Sequence, residues 1–145
     1  MKVKTFFAVV FIALLLAGCA GVQLNPELLT EAPSKDAIVR IDIDRAKALF
    51  DSGEAVFVDT RSEGDYNAGH IAGAVSVPPG MLEQKLEGIK AVIEGKVLVT
   101  YCHGVGCRLA DKEAYALYDK GYKRVVIFFG GWPKWTEHGY ETEKD

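Results

Sequence analysis

The densest chemistry in this chain is the run Cys102, His103, Gly104, Val105, Gly106, Cys107 and Arg108. It follows the apolar stretch Val97-Leu98-Val99-Thr100-Tyr101 and precedes a segment of helical spacing, Leu109 to Lys120. In an open parallel sheet the site lies beyond the carboxyl ends of the strands, which is where this cysteine stands. Two glycines let the backbone curl until successive N–H groups point inward, a nest for an anion. The helix beginning near Cys107 brings the positive end of its dipole, and Arg108 brings a permanent charge. All three favour a thiolate, so the pattern predicts a nucleophilic Cys102 with a depressed pKa.

The elements that must hold this loop are legible as alternating short apolar runs and amphipathic stretches. Ala55-Val56-Phe57-Val58, Ala74-Val75-Ser76-Val77, Val97 to Tyr101 and Val125 to Phe129 read as buried strands. Asp42 or Asp44 caps a helix through Phe50, and Ser62 caps a short helix over Glu63 to Ala68. Met81 to Ile93 places Leu82, Leu86, Ile89 and Ile93 on one side, and Leu109 to Lys120 does the same with Leu109, Ala110, Ala114 and Leu117. A last short helix runs from Trp132 to His138, with its two tryptophans serving packing. Strands alternating with helices predict an α/β domain around a parallel sheet.

Composition narrows the function classes. The 145 residues suit one domain. The net charge is −3 and no basic run occurs, which argues against duplex nucleic acid as a partner. Three cysteines, Cys19, Cys102 and Cys107, are too few for a disulfide scaffold. Cys102, His103 and Cys107 crowd one anion loop, a poor tetrahedral zinc arrangement, so no metal and no other cofactor is expected.

Three ordered segments resemble one family, the rhodanese-like domains. The first runs from Val58-Asp59-Thr60-Arg61 through Tyr66, Gly69-His70-Ile71, Gly73-Ala74 and Pro78. The second is Tyr101-Cys102 entering the loop, and the third runs from Gly121-Tyr122 through Gly130-Gly131-Trp132 and Trp135 to Gly139. The resemblance covers roughly residues 38–142. It implies a rhodanese-like fold, a central parallel five-stranded sheet with helices on both faces. It also implies transfer of a sulfane sulfur, from thiosulfate or a persulfide, to a thiol or cyanide through a Cys102 persulfide. Asp59, Arg61, His70 and Gly73 are expected to brace the sheet end rather than act on substrate. His103 either touches substrate or faces solvent.

The loop departs from the common pattern of that family, in which an arginine follows the cysteine after four residues. Here Cys107 stands at that place and Arg108 comes one later. The resulting Cys-x5-Arg also resembles the loop of phosphatases and arsenate reductases built on the same fold. Cys107 is in addition a candidate resolving thiol, able to form a disulfide with Cys102 in thiol–disulfide chemistry.

The N-terminal stretch has Lys2 and Lys4, then an apolar run to Leu16, the layout of an export signal. That run is shorter than the ~20 residues of a spanning helix. Leu16-Ala17-Gly18-Cys19 resembles the lipobox of bacterial lipoproteins. The expectation is a signal peptide at 1–18, a lipidated tether at 19–37 and the domain at 38–145. Cys19 would then anchor the exported protein on the periplasmic side, with Ala20 favouring the outer membrane in a Gram-negative host.

Overall fold

The structure, a computed structural model, describes residues 25–145. The expected signal peptide at 1–18 and Cys19 lie outside the described residues.

Five strands form one parallel sheet in the order β1-β6-β5-β2-β4. They are β1 (Arg40–Ile41), β2 (Ala55–Asp59), β4 (Val75–Ser76), β5 (Val97–Tyr101) and β6 (Val125–Phe128). The longest strands, β2 and β5, lie at the middle and pair along their full length, Ala55 beside Val97 through Asp59 beside Tyr101. Both are apolar because helices cover both faces. Val97, Val99 and Tyr101 point to one side, with Phe57, Val126 and Phe128. There they pack under α1 (Ile43–Ser52) and α5 (Gly131–Glu137), whose Leu49 and Trp135 are fully buried. Leu98 points to the other side with Val56, Val58 and Ile127. These meet α3 (Leu82–Ile93) and α4 (Leu109–Asp119) through Ile93, Ala114 and Leu117. The parallel five-stranded sheet flanked on both faces is the expected architecture.

Local chemistry sets the helix ends. Asp42 accepts a hydrogen bond from the Arg45 amide at 3.0 Å, and Ser62 accepts one from the Asp65 amide at 3.1 Å. Each such cap contributes about 1 kcal/mol. Gly53 ends α1 in the left-handed region at φ 69°.

Two features were not foreseen. β3 (His70–Ile71) pairs antiparallel with β7 (Thr142–Glu143), tying the C-terminus to the loop after α2 (Glu63–Ala68). The segment expected as a tether is also docked from its first described residues. Pro26–Leu29 forms a 3-10 turn that buries Leu28 in the core. Ala32 donates its N–H to the Lys123 carbonyl at 2.9 Å and accepts from the Tyr118 hydroxyl at 3.2 Å. The packed body therefore begins before residue 38, because Leu28 finds an apolar seat that spacing alone does not disclose.

Candidate active site

Cys102 is the first residue after β5 and is 3% exposed. Its backbone is clamped from below by the turn into α5. The Cys102 carbonyl accepts the Trp132 N–H at 2.9 Å. Gly131 lies so close that a Cβ there would fall 2.4 Å from that carbonyl oxygen and 2.6 Å from the Gly104 nitrogen. With φ at 58° as well, position 131 accepts glycine alone without displacing the loop. Gly104 and Gly106 take φ of 106° and 89°, which lets the chain curl tightly enough for the Cys107 N–H to reach the Gly104 carbonyl at 3.0 Å.

The loop closes one side of a pocket of about 260 Å³. Its walls include Cys102, Cys107, Arg40, Asp111 and Phe129. Val105 projects from the rim into solvent. Arg40 is a residue that sequence reasoning missed. It reaches the pocket from β1 and forms an ion pair with the buried carboxylate of Asp111. Arg108 does the opposite of what was expected. Its side chain is 71% exposed, does not line the pocket, and stands 3.8 Å from Asp111. The cation over the pocket is Arg40, not Arg108. A Cys-x5-Arg loop that wraps an oxyanion needs its own arginine turned inward, and this one turns out.

The expectation of a depressed Cys102 pKa also needs correction. The N–H groups of Gly104 and Ala110 do favour its thiolate, as an anion nest should. Burial outweighs them and pushes the Cys102 thiol up, helped by the hydrogen bond it shares with Cys107. Its Sγ stands 3.7 Å from the Cys107 carbonyl oxygen. In Cys107 the balance is reversed. Partial burial raises its pKa, but hydrogen bonds from the Cys102 thiol, the Leu109 N–H and His103 bring it down to about 7. Cys107 is therefore the more acidic thiol of the pair, and both cysteines are free.

His103 points away from the pocket. Its Nε2 lies 3.3 Å from Oδ2 of Asp65, which also accepts from the Ser62 hydroxyl at 2.6 Å. Together with Pro78, Pro79, Met81 and Leu109 it lines an adjoining, more open groove.

Beside the loop, Asp59 and Arg61 form a buried two-point ion pair. Arg61 Nη2 donates to Asp59 Oδ2 at 2.6 Å and Nε donates to Oδ1 at 3.0 Å. Nη2 also donates to the Gly69 carbonyl, and the Tyr101 hydroxyl donates to Asp59 Oδ2, both at 2.6 Å. The Arg61 guanidinium lies 4.7 Å from the Trp132 ring centroid. His70 Nδ1 meets the Tyr66 carbonyl at 2.9 Å, and its ring stacks on that of Tyr66. Gly73 takes φ 71° and gives its N–H to Glu143 at 3.0 Å. None of these four residues lines the Cys102 pocket.

The model of the rhodanese-like domain family matches residues 42–138. The chain belongs to that family. Among known relatives of this rhodanese-like domain, an HTH-type transcriptional regulator, Rv0324 of Mycobacterium tuberculosis, is 32% identical over 76% of this chain and 46% of its own. The tRNA uridine(34) hydroxylase of Pectobacterium atrosepticum is 34% identical over 61% of this chain and 25% of its own. The chain thus spans less than half the length of these curated relatives. Two solved structures correspond more nearly whole to whole. BH2092 of Bacillus halodurans shares 28% identity at a TM-score of 0.65, covering 76% of this chain and 80% of its own. The human single-domain sulfurtransferase TSTD1 shares 25% identity at a TM-score of 0.55, covering 68% and 95%.

Within the rhodanese-like frame the arrangement supplies three things: a buried sulfur, inward amides that stabilise negative charge on it, and a cation on the opposite wall. That set suits attack on a small dianion and retention of an anionic sulfur product.

Proposed function

We propose that this rhodanese-like domain is a sulfurtransferase that carries a sulfane sulfur on Cys102. The observation that supports this best is Cys102 at the carboxyl end of β5, in a tightly curled loop that shares a small pocket with Arg40. A donor such as thiosulfate enters with its sulfonate toward Arg40, which orients it as a charge partner. Cys102 gives its proton to solvent and its thiolate attacks the sulfane sulfur. The S–S bond of the donor breaks and sulfite leaves with the electron pair. The Cys102 persulfide is itself anionic at neutral pH and is favoured by the Gly104 and Ala110 amides that favour the thiolate. Cyanide or a thiol then removes the outer sulfur and returns Cys102.

The test is thiocyanate formation from thiosulfate and cyanide. Wild-type protein turns over and Cys102→Ser does not. Rapid hydrolysis of aryl phosphates with no sulfur transfer would replace this reading with oxyanion chemistry.

The proposal extends to location. The apolar run ending in Leu16-Ala17-Gly18-Cys19 supports export and lipid attachment at Cys19, with several acyl chains giving stable anchoring. Cys19→Ser abolishes processing and membrane retention on this reading. Incorporation of labelled fatty acid into that variant would refute it.

A further inference from the structure

A second nucleophile lies within the same loop, with its own supporting pair. Cys107 is more open to solvent than Cys102, lines the same pocket, and has its carbonyl 3.7 Å from the Cys102 Sγ. The loop bends tightly enough between them that the Cys107 amide reaches back to Gly104. On the far side, His103 is held 3.3 Å from Asp65, at the N-terminal turn of α2. Asp65 is fixed in turn by Ser62. Ser62, Asp65 and His103 form a chain of polar contacts leading to the loop, and His103 helps bring the Cys107 thiol down. The transfer reaction at Cys102 makes no use of these three residues.

We infer that Cys107 is a resolving thiol, positioned by the Asp65–His103 pair, that discharges the Cys102 persulfide as sulfide. This rests on the sulfur-transfer reading and adds a second chemical step to it. The outer sulfur of the persulfide takes a proton from solvent, and the Cys107 thiolate attacks the inner sulfur. A Cys102–Cys107 disulfide forms, the bond between the inner and outer sulfurs breaks, and hydrosulfide leaves with the electron pair. The sulfane sulfur is reduced by two electrons and the two thiols are oxidised by two. A low-molecular-weight or protein dithiol then reduces the disulfide, becoming a disulfide itself and returning both protons to the loop. The site thereby becomes a dithiol-dependent sulfide-releasing enzyme rather than a carrier waiting for an acceptor.

His103 is a positioning residue here. It helps bring the Cys107 thiol down, and Asp65 fixes its ring. The other charged groups around Cys107 are Cys102 at the loop entrance, Arg108 and Asp111 at the start of α4, and Arg40 from β1. Arg40 and Arg108 both lean on Asp111.

The decisive experiment uses the full chain in detergent, reduced, freed of reductant and given one equivalent of thiosulfate. Wild type is expected to release sulfite and then sulfide, and to end about 2 Da lighter than the reduced protein, as a disulfide. Cys107→Ser releases sulfite alone and gains about 32 Da as a stable persulfide. A wild type that keeps the added sulfur as Cys107→Ser does overturns the inference while leaving sulfur transfer standing. No sulfite from either protein overturns the transfer reading, and this inference with it. His103→Gln is expected to slow sulfide release about tenfold at neutral pH, as a rise of one pKa unit in the attacking thiol would. Sulfite release slows less, and the sulfide step recovers as pH is raised. Superimposable pH profiles for His103→Gln and wild type would remove the Asp65–His103 pair from the step.

Discussion

Two buried ionisable pairs stand side by side at the carboxyl ends of β2 and β5, and they are solvated in opposite ways. Asp59 and Arg61 are joined by four direct hydrogen bonds, one of them from the Arg61 backbone N–H, and the remaining capacity is taken by the Gly69 carbonyl, the Tyr101 hydroxyl and the face of Trp132. Cys102 and Cys107 have weak sulfur hydrogen bonds, a few backbone amides and an open pocket. The first pair has both charges fixed and nowhere for a proton to go. The second is a pair of free thiols, of which Cys107 ionises the more readily. A strongly satisfied pair rigidifies the sheet end, and a weakly satisfied pair next to it supplies the reactivity.

The sharpest break of this comparison is Cys102→Ser, which should abolish thiocyanate production while leaving the thermal transition in place. Loss of the fold instead would mean that the sulfur is structural like its neighbours. Arg61→Leu comes next. It leaves the Asp59 carboxylate buried without its partner, and denaturant unfolding should show a loss of about 3–5 kcal/mol. Adding Asp59→Asn to that variant should recover part of the loss, since the stranded charge is then gone. Additive losses from the two substitutions would show that the pair does not act as a unit.

A third buried group sharpens the contrast because it belongs to neither class. Glu113 on α4 has an oxygen with no hydrogen-bond partner among the described residues, and burial raises its pKa from 4.5 to about 7. The folded state then holds a proton that the unfolded chain gives up, so stability falls as pH rises from 4.5 to about 7 and the penalty stays above that. Glu113→Gln should therefore stabilise the protein by about 1–3 kcal/mol above neutrality and change little near pH 4. Equal unfolding curves for the two proteins at pH 8 would contradict this. Smaller effects separate the two arginines at Asp111. Arg40→Gln should raise the thiosulfate KM about tenfold, about 1.4 kcal/mol of lost ground-state attraction. Arg108→Ala should stay within about twofold, as exposed ion pairs contribute little. A reversal of that order would return the substrate cation to the loop.

Much of the fold was legible because the relevant signals are local. Ser62 marks the start of α2, Asp42 marks the start of α1, and the apolar runs of β2, β5 and β6 are dense enough to read directly. Strand β7 was not legible, since Thr142 and Glu143 are too short a run to show a period. Cys102 itself was legible from its place after β5. Its cation was not, because Arg40 reaches the pocket only through the strand order that sets β1 beside β6. Arg108 was misread since its direction depends on the backbone turn into α4 rather than on its position in the sequence. The Cys102 pKa was misread for a related reason: inward amides can be guessed from glycines, but the depth of burial that opposes them cannot.

The docking of the N-terminal segment has a directional consequence. Ala32 is tied to Lys123 and Tyr118 just ahead of β6, at the amino-terminal end of the sheet. Cys102 opens at the other end, since β5 runs parallel to β6 with Leu98 beside Val125 and Tyr101 beside Phe128. From Cys19 to the first described residue, Asn25, the chain can extend no more than about 20 Å. With the proposed lipid at Cys19, that short leash holds the domain in a thin layer over the bilayer and leaves from the end remote from the pocket. The reactive sulfur then looks outward into the aqueous compartment, where donors and reductants arrive by diffusion in three dimensions rather than along the membrane.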